Sequence, residues 1–140
     1  MTKKILMANI SDCKFIEIPK IHDHRGNLAV IENSILPFEM QRVYYLYNVP
    51  AGAYRGGHSH IAQQEFLIAM SGSFEVILDD GKQKKTILLN RPDKGLLIPT
   101  GIWRELQEFS QGSVCMVVNS GTFDEADYIR DYDTFLNAAK

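Results

Sequence analysis

The chain has 140 residues, of which 45% are hydrophobic, and it carries a net charge of −2 with an isoelectric point near 6.1. This composition predicts one globular domain, residues 1–140, with a core of ordinary size. The charge balance gives no chain-wide basic surface, which counts against nucleic acid as a partner. No stretch is apolar and long enough to cross a bilayer, and the apolar run in Met1–Met7 is too short for a signal peptide. Cys13 and Cys115 are isolated in apolar segments, which predicts buried, reduced thiols and a cytoplasmic protein without membrane contact.

The hydrophobic pattern predicts a domain made mostly of short strands. The clearest is Gln41–Val49, which is rich in aromatic and β-branched residues. An Asp-Gly turn at Asp79-Asp80-Gly81-Lys82 separates two further strand patterns and predicts a β-hairpin. In chain order the predicted strands are Lys14–Ile18, Leu28–Glu32, Gln41–Val49, Glu65–Met70, Ser73–Leu78, Gln83–Leu89, Gly95–Ile98, Trp103–Phe109 and Val114–Ser120, and a helix is predicted from about Glu125 to Ala139. Many short strands in one compact domain favour an all-β sandwich or barrel, and a double-sheet jelly roll fits best.

The stretch Tyr54-Arg55-Gly56-Gly57-His58-Ser59-His60 carries the strongest functional signal. It holds two of the four histidines in the chain. On an extended strand, residues two apart face the same way, so both imidazoles would project into one cavity. Histidine moves protons near neutral pH and is also the commonest metal ligand, so the pair indicates either acid–base catalysis or a metal site. The other two histidines, His22 and His24, lie in a polar loop and are expected at the surface.

The spacing around this pair resembles the first sequence motif of the cupin superfamily, because Gly52 precedes the pair, Glu65 follows it and Gly72 closes the segment. The superfamily implies a jelly-roll barrel, or double-stranded β-helix, with the site inside. In metal-binding cupins the two histidines, the glutamate and a further histidine hold the ion. Arg104 stands where that last histidine is usual. A fixed cation there would repel a divalent metal, although a site of two histidines and Glu65 stays open as an alternative.

Five motifs in the same order resemble the nucleotide-sugar 3,4-ketoisomerases and together extend over nearly the whole chain. They are Asp23-His24-Arg25-Gly26, Arg42-Val43-Tyr44-Tyr45, Arg55-Gly56-Gly57-His58-Ser59-His60, Leu78-Asp79-Asp80-Gly81 and Asp127-Tyr128-Ile129-Arg130-Asp131-Tyr132-Asp133-Thr134-Phe135. The resemblance implies a homodimeric jelly roll that uses neither a metal nor a cofactor. Its substrate would be a dTDP-linked 4-keto-6-deoxy sugar, dTDP-4-keto-6-deoxy-D-glucose, whose keto group moves from C4 to C3. The dTDP-3-keto-6-deoxyhexose formed would feed the synthesis of 3-aminosugars for surface glycans.

The residues in these motifs suit the implied reaction. Isomerisation needs a base at C3, proton delivery to C4 and stabilisation of an enediolate. The resemblance marks His58 and His60 as catalytic without dividing the roles between them, and Tyr44 is a candidate relay or hydrogen-bond donor. The candidate substrate-binding residues are Arg25, Arg42, Arg55, Glu65, Trp103 and Arg104. Arginine suits a pyrophosphate because its planar fork donates two parallel hydrogen bonds, which indicates Arg42 and Arg55 first.

Three further expectations concern residues at the edges of these motifs. Arg25 would reach the site from the mouth of the barrel or across a dimer, which exposed edge strands in a small barrel favour. Trp103 would pack against the sugar or the thymine. Asp127, Asp131 and Asp133 are expected on a solvated helix face and cap.

Two departures from the family pattern bear on the chemistry. Glu65 stands where family members carry glutamine, and its charge would raise the pKa of the histidines or restore a metal site. Arg104 is expected to face the sugar and to influence which face of C4 receives the proton. With arginine at both positions 25 and 104, the sequence does not decide whether the product has the gluco or the galacto configuration at C4. A metal-dependent cupin enzyme and a non-catalytic sugar-nucleotide sensor remain as alternative functions.

Overall fold

The structure, a computed structural model, describes residues 8–139. Its elements in chain order are β1 (Lys14–Glu17), β2 (Lys20–Asp23), β3 (Gly26–Ala29), β4 (Arg42–Tyr47), β5 (Arg55–His60), β6 (Glu65–Ser71), β7 (Phe74–Asp79), β8 (Lys84–Leu89), β9 (Lys94–Ile98), β10 (Trp103–Gln107), β11 (Val114–Asn119), β12 (Tyr128–Ile129) and α1 (Tyr132–Ala138). Short 3-10 turns lie at Ile10–Asp12, Asn33–Ile35 and Glu125–Asp127. The start at Met1–Met7, for which the sequence predicts no signal peptide, lies outside the described residues.

Two five-stranded antiparallel sheets enclose the main core. The first has the strand order β1-β9-β6-β11-β4, and the second has the order β12-β5-β10-β7-β8. Alternate side chains of each sheet point between the sheets, so that Leu67 and Val117 from the first share one buried cluster with Leu78 and Leu106 from the second. The all-β jelly roll predicted from the sequence is confirmed.

Most predicted strands are present with shifts of one or two residues at their ends. The predicted hairpin is confirmed: β7 pairs with β8, and the Asp79 side chain accepts a hydrogen bond from the Gly81 amide at 2.7 Å in the turn. The strand predicted at Leu28–Glu32 lies earlier, because β3 pairs with β2 in a separate two-stranded hairpin. Across residues 8–139, no helix is long and apolar enough to span a membrane. Both cysteines are free thiols; Cys115 is buried as predicted, whereas Cys13 is partly exposed.

The predicted C-terminal helix is shorter than expected. Asp131 caps it by accepting a hydrogen bond from the Thr134 amide at 3.0 Å, so α1 begins at Tyr132. Upstream of the cap the backbone is extended, and Tyr128 and Ile129 pair with His60 and Ser59 as β12. The prediction of a continuous helix from Glu125 was therefore wrong, because strand pairing with β5 determines the conformation of the first part of this segment.

A β-bulge in β5 sets the direction of the two histidines. Arg104 of β10 pairs with His58, but Leu106 pairs with Arg55, so β5 uses one residue more than β10 over this stretch. Gly56 lies in the bulge with φ of 74°, a conformation that glycine adopts without the steric cost of a Cβ atom. Beyond the bulge, His58 lies beside Arg104 on one neighbouring strand, and His60 lies beside Tyr128 on the other.

Candidate active site

A cavity of about 500 Å³ lies beside the histidine strand, between the two sheets. Six of the residues predicted from the sequence line it: Arg42, Tyr44, Arg55, His58, Glu65 and Arg104. Arg42 and Tyr44 come from β4 and Glu65 from β6 of the first sheet, and the other three come from β5 and β10 of the second. The inward faces of both sheets therefore contribute to one site.

Glu65 lies at the centre of the polar network. Its side chain is buried, and one oxygen, Oε1, accepts a hydrogen bond from the Arg104 guanidinium. The other oxygen, Oε2, accepts from the Tyr44 hydroxyl at 2.8 Å and from the Asn119 amide at 3.0 Å. Burial alone would raise the pKa of Glu65, but the Arg104 charge and the neighbouring imidazoles outweigh burial and hold that pKa below its usual value. Glu65 is therefore an ionised carboxylate.

Arg104 is a fixed, buried cation in the cavity wall. Besides its ion pair with Glu65, its Nε and Nη2 atoms donate to the carbonyl oxygen of Ile102 at 3.2 and 3.0 Å. These bonds hold the guanidinium plane in one orientation. The residue lines the cavity as the sequence predicts, and its charge acts on the whole network.

His58 is the histidine on the cavity wall. Its Nε2 atom lies 3.9 Å from Glu65 Oε1 and has no hydrogen-bond partner in the described part of the chain. Burial and the Arg104 charge lower the pKa of His58 to about 3, although Glu65 opposes the shift. The Glu65 charge does act to raise this pKa, as expected, but desolvation of the imidazole and the nearby guanidinium are the larger effects, so the net shift is downward. His58 is a neutral imidazole at neutral pH.

His60 lies behind His58 and is fully buried. The two rings meet edge to face with their centroids 4.8 Å apart. His60 Nδ1 lies 2.9 Å from an Asp127 carboxylate oxygen, and that carboxylate also accepts from the amides of Ala62 at 2.7 Å and Gln63 at 3.2 Å. Because the carboxylate only accepts, Nδ1 of His60 is the donor, which leaves Nε2 directed toward Glu65 at 3.4 Å.

Asp127 is a site residue that sequence reasoning placed on a solvated helix face. The structure instead shows a buried carboxylate in the 3-10 turn before β12, bonded to His60. Its backbone carbonyl also accepts from the Ile61 amide, so the turn is fastened to the end of β5. The signal for this role was its place in the motif that begins Asp127-Tyr128, which lies far from the histidines in the chain.

Two predicted substrate-binding residues lie away from the cavity. Trp103 points to the opposite face of β10 from Arg104, because side chains alternate along a strand, and it packs against Tyr132 and Phe135 at 5.3 and 5.7 Å. The prediction that Trp103 packs against the substrate is therefore corrected. Arg25 is exposed at the turn between β2 and β3 and pairs with Asp23 at 2.7 Å. It does not line the cavity of its own chain.

Two further cavity residues were not singled out from the sequence. Tyr128 packs against both imidazoles, and Arg130 stacks over the Tyr128 ring with 4.3 Å from the guanidinium carbon to the ring centroid. Arg130 also pairs with Glu125 through Nε at 2.6 Å. Both residues belong to the C-terminal motif. A helix was predicted there, whereas the structure has an extended segment that directs their side chains to the cavity.

The donor set of a metal-binding cupin is present only in part. The ligand atoms of His58, His60 and Glu65 all lie within 4.8 Å of one another. However, Glu65 Oε1 is bonded to the guanidinium of Arg104, so a permanent positive charge lies beside the carboxylate that a divalent ion would need. These residues do not fit a metal ion.

Comparison with known proteins shows the family to which the chain is similar. A family model described as "FdtA: WxcM-like, C-terminal" matches residues 11–140. A TDP-4-oxo-6-deoxy-alpha-D-glucose-3,4-oxoisomerase of Aneurinibacillus thermoaerophilus is 42% identical over 123 residues, which are 87% of this chain and 88% of that protein.

Two solved structures extend the comparison to the fold. A TDP-quinovose 3,4-ketoisomerase of Campylobacter jejuni is 45% identical with a TM-score of 0.87, over 91% of this chain and 99% of that one. A sugar 3,4-ketoisomerase of Thermoanaerobacterium thermosaccharolyticum, solved with TDP, is 37% identical with a TM-score of 0.91, over 94% and 96% of the two chains. The chain therefore belongs to the FdtA-like family of sugar 3,4-ketoisomerases.

Proposed function

We propose that the protein converts dTDP-4-keto-6-deoxy-D-glucose into the corresponding dTDP-3-keto-6-deoxyhexose, with residues 1–140 acting as one domain. The observation that carries the proposal is a neutral imidazole, His58, on the wall of a cavity that several arginines line. Membership of a family of TDP-sugar 3,4-ketoisomerases supports the substrate and the reaction.

The reaction is an internal redox exchange between two neighbouring carbons. A base removes the proton from C3, the electrons of that bond form the C3–C4 double bond, and the C4 carbonyl oxygen becomes an enediolate oxygen. The O3 hydroxyl then loses its proton as the C3 carbonyl forms, while C4 and O4 each gain one. C3 is oxidised and C4 is reduced, so the reaction needs no external cofactor.

We assign the carbon acid–base role to His58. Its ring lines the cavity, its Nε2 atom has no hydrogen-bond partner within residues 8–139, and its lowered pKa keeps the ring neutral, so that a nitrogen lone pair is available to the substrate. His60 lies behind it and supports it through ring packing and the bond to Asp127. Burial and the adjacent Glu65 carboxylate raise the pKa of Tyr44, so its hydroxyl remains protonated and does not act as a base. Its proton is donated to Glu65, and the hydroxyl oxygen is available to accept a hydrogen bond from a substrate hydroxyl.

The diphosphate is assigned to Arg42 and Arg55. The Arg42 guanidinium is packed against the rings of Tyr44 and Phe123 at 5.1 and 5.5 Å, and its Nε atom has no hydrogen-bond partner among the residues described. Arg55 lies at the exposed end of the bulged strand and lines the same cavity. Two guanidinium groups near the opening suit a diphosphate, which takes paired N–H donors.

A homodimer accounts for Arg25 and for the exposed apolar edge of the first sheet. Val43, Tyr45 and Tyr47 alternate along the outer face of the edge strand β4 and are each more than half exposed. Ile21 and Leu28 are similarly exposed on the hairpin that carries Arg25. We propose that these surfaces meet in a dimer, and that Arg25 acts at the cavity of the second copy. A cytoplasmic location and a role in supplying 3-aminosugar synthesis complete the proposal.

The activity is tested by proton NMR on chelator-treated protein with dTDP-4-keto-6-deoxy-D-glucose in deuterated buffer. We expect a 3-keto sugar to accumulate with deuterium at C4, because the base exchanges its proton with solvent, and the coupling constants will give the C4 configuration. Turnover that appears only after a divalent metal is added would instead indicate the metalloenzyme. Binding of dTDP without any turnover or exchange would indicate a sensor.

The role of His58 is tested by His58→Asn. Loss of the acid–base group should lower kcat by roughly 10² or more, because positioned proton transfer contributes about 10²–10⁴-fold. The Kd for dTDP, measured by calorimetry, should stay nearly unchanged, since the diphosphate is held by arginines. Gln83→Asn, which changes an exposed side chain in the turn between β7 and β8, is the control. Wild-type turnover in His58→Asn would remove the residue from the mechanism.

The pH profile tests the influence of Arg104 on His58. Because the pKa of His58 is lowered to about 3, kcat/KM of the wild type should stay level from pH 8 down to about pH 5. Arg104→Gln removes a charge that lowers this pKa and frees Glu65, which raises it, so activity should begin to fall at a higher pH. Arg91→Gln, which removes an exposed arginine, should leave the profile unchanged. An acid limb centred near the ordinary histidine pKa in the wild type would contradict the assignment.

Subunit mixing tests the dimer and the position of Arg25 together. Light scattering should give about twice the 15.9 kDa of the chain. Arg25→Ala and His58→Asn should each be impaired alone, whereas a refolded mixture should regain about a quarter of wild-type activity, because half of its dimers have one site with both residues intact. A monomer, or a mixture as inactive as its components, would show that Arg25 does not act across a dimer.

A further inference from the structure

Tyr128 contacts both imidazoles and two arginines of the cavity. Its ring centroid lies 4.9 Å from that of His58 and 4.5 Å from that of His60. Its hydroxyl accepts a hydrogen bond from Arg42 Nη2 at 3.1 Å, and the Arg130 guanidinium lies over its ring. One side chain therefore connects the groups assigned to proton transfer with those assigned to phosphate.

The backbone holds Tyr128 in this position. As part of β12 it pairs with His60 across the sheet, and the Asp127 carboxylate immediately before it is bonded to the amides that follow β5. Rotation of the ring away from the cavity would have to break its packing against the two imidazoles. The residue is half-buried and lines the cavity, so it is not part of the apolar core between the sheets.

The hydroxyl determines how Arg42 presents its remaining donors. Arg42 Nη2 is engaged by Tyr128, while Nε has no partner in the described residues. The rings of Tyr44 and Phe123 restrict the guanidinium from its faces. A guanidinium whose plane is fixed in this way loses less rotational freedom when it binds an anion than a free arginine does.

We infer that Tyr128 is a positioning residue with two separable parts: its hydroxyl orients Arg42 for the diphosphate, and its ring holds His58 and His60 in place for proton transfer. The inference rests on the proposed function, because it takes Arg42 as a phosphate ligand and His58 as the base. It predicts that the hydroxyl of Tyr128 affects KM, whereas its ring affects kcat.

Two variants of Tyr128 separate these parts. Tyr128→Phe removes only the hydroxyl, and we expect KM and the Kd for dTDP to rise about fivefold to tenfold with kcat within about twofold, as for the loss of one hydrogen bond of ordinary strength. Tyr128→Leu also removes the ring, and kcat should fall by at least about tenfold, because the imidazoles lose their packing. Tyr132→Phe removes a hydroxyl bonded to Asp79 outside the cavity and serves as the control.

A double-mutant cycle with Arg42→Ala distinguishes failure of this inference from failure of the proposed function. If Tyr128 acts through Arg42, then adding Tyr128→Phe to Arg42→Ala should change the Kd for dTDP by less than about twofold. A weaker Kd in Arg42→Ala but not in Tyr128→Phe would overturn the inference alone. An unchanged Kd in Arg42→Ala would overturn the phosphate assignment on which it rests, and absence of ketoisomerase activity in the wild type would overturn the function.

Two further results would also test the roles of the Tyr128 hydroxyl and ring. A fall in kcat in Tyr128→Phe with an unchanged KM would mean that the hydroxyl takes part in proton transfer itself, which contradicts a positioning role. If Tyr128→Leu lowers the melting temperature so far that it cannot be assayed, the result for Tyr128→Phe and the cycle decide the hydroxyl part. The ring part is then tested by Tyr128→Trp, whose larger ring should displace the imidazoles and lower kcat more than it raises the Kd for dTDP.

Discussion

The buried ion pair between Arg104 and Glu65 is the interaction on which the site depends. Removing two charges from water is costly, and a buried pair persists only when its remaining hydrogen-bonding atoms also find partners. Here Tyr44 and Asn119 donate to the carboxylate, and the guanidinium donates to the Ile102 carbonyl. Because the carboxylate comes from the first sheet and the guanidinium from the second, the pair also holds the two sheets in register at the cavity.

The pair also influences the protonation of His58. In a metal-binding cupin the positive charge of the site is an exchangeable ion that takes up imidazole lone pairs. In this chain the charge is a covalent part of β10 and is paired with the carboxylate, and His58 Nε2 has no hydrogen-bond partner within residues 8–139. Burial and the guanidinium both oppose protonation of the imidazole, which keeps the ring neutral over a wide range of pH.

Much of the barrel was predictable from the sequence, because alternating apolar residues and an Asp-Gly turn are local signals. The strand at Gln41–Val49 and the hairpin around Gly81 illustrate this, and both were confirmed within two residues. Glycines, histidines and serine give β5 no hydrophobic alternation, so only its spacing indicated a strand. The sequence also contains the information that Trp103 and Arg104 lie on opposite faces of β10, since neighbouring side chains on a strand alternate between its faces.

The parts that escaped prediction depend on contacts between distant segments. Tyr128 and Ile129 were predicted to be helical, because only their pairing with β5 makes this segment extended. Asp127 was predicted to be solvated, because its partner His60 lies 67 residues earlier. The local hydrophobic pattern of a sequence does not reveal that a single carboxylate is buried. The resemblance to a family indicated the right segments, but the structure was needed to show which side chain of each segment faces the cavity.

The position of β12 outside the apolar core has a consequence for local stability. The apolar cluster between the sheets takes its residues, as far as the described chain shows, from no later than Val117, whereas Asp127, Tyr128 and Arg130 reach the cavity from the C-terminal segment. The apolar cluster can therefore stay folded while the two residues of β12 detach from β5. Such a local opening would remove the polar neighbours of the histidines without unfolding the barrel.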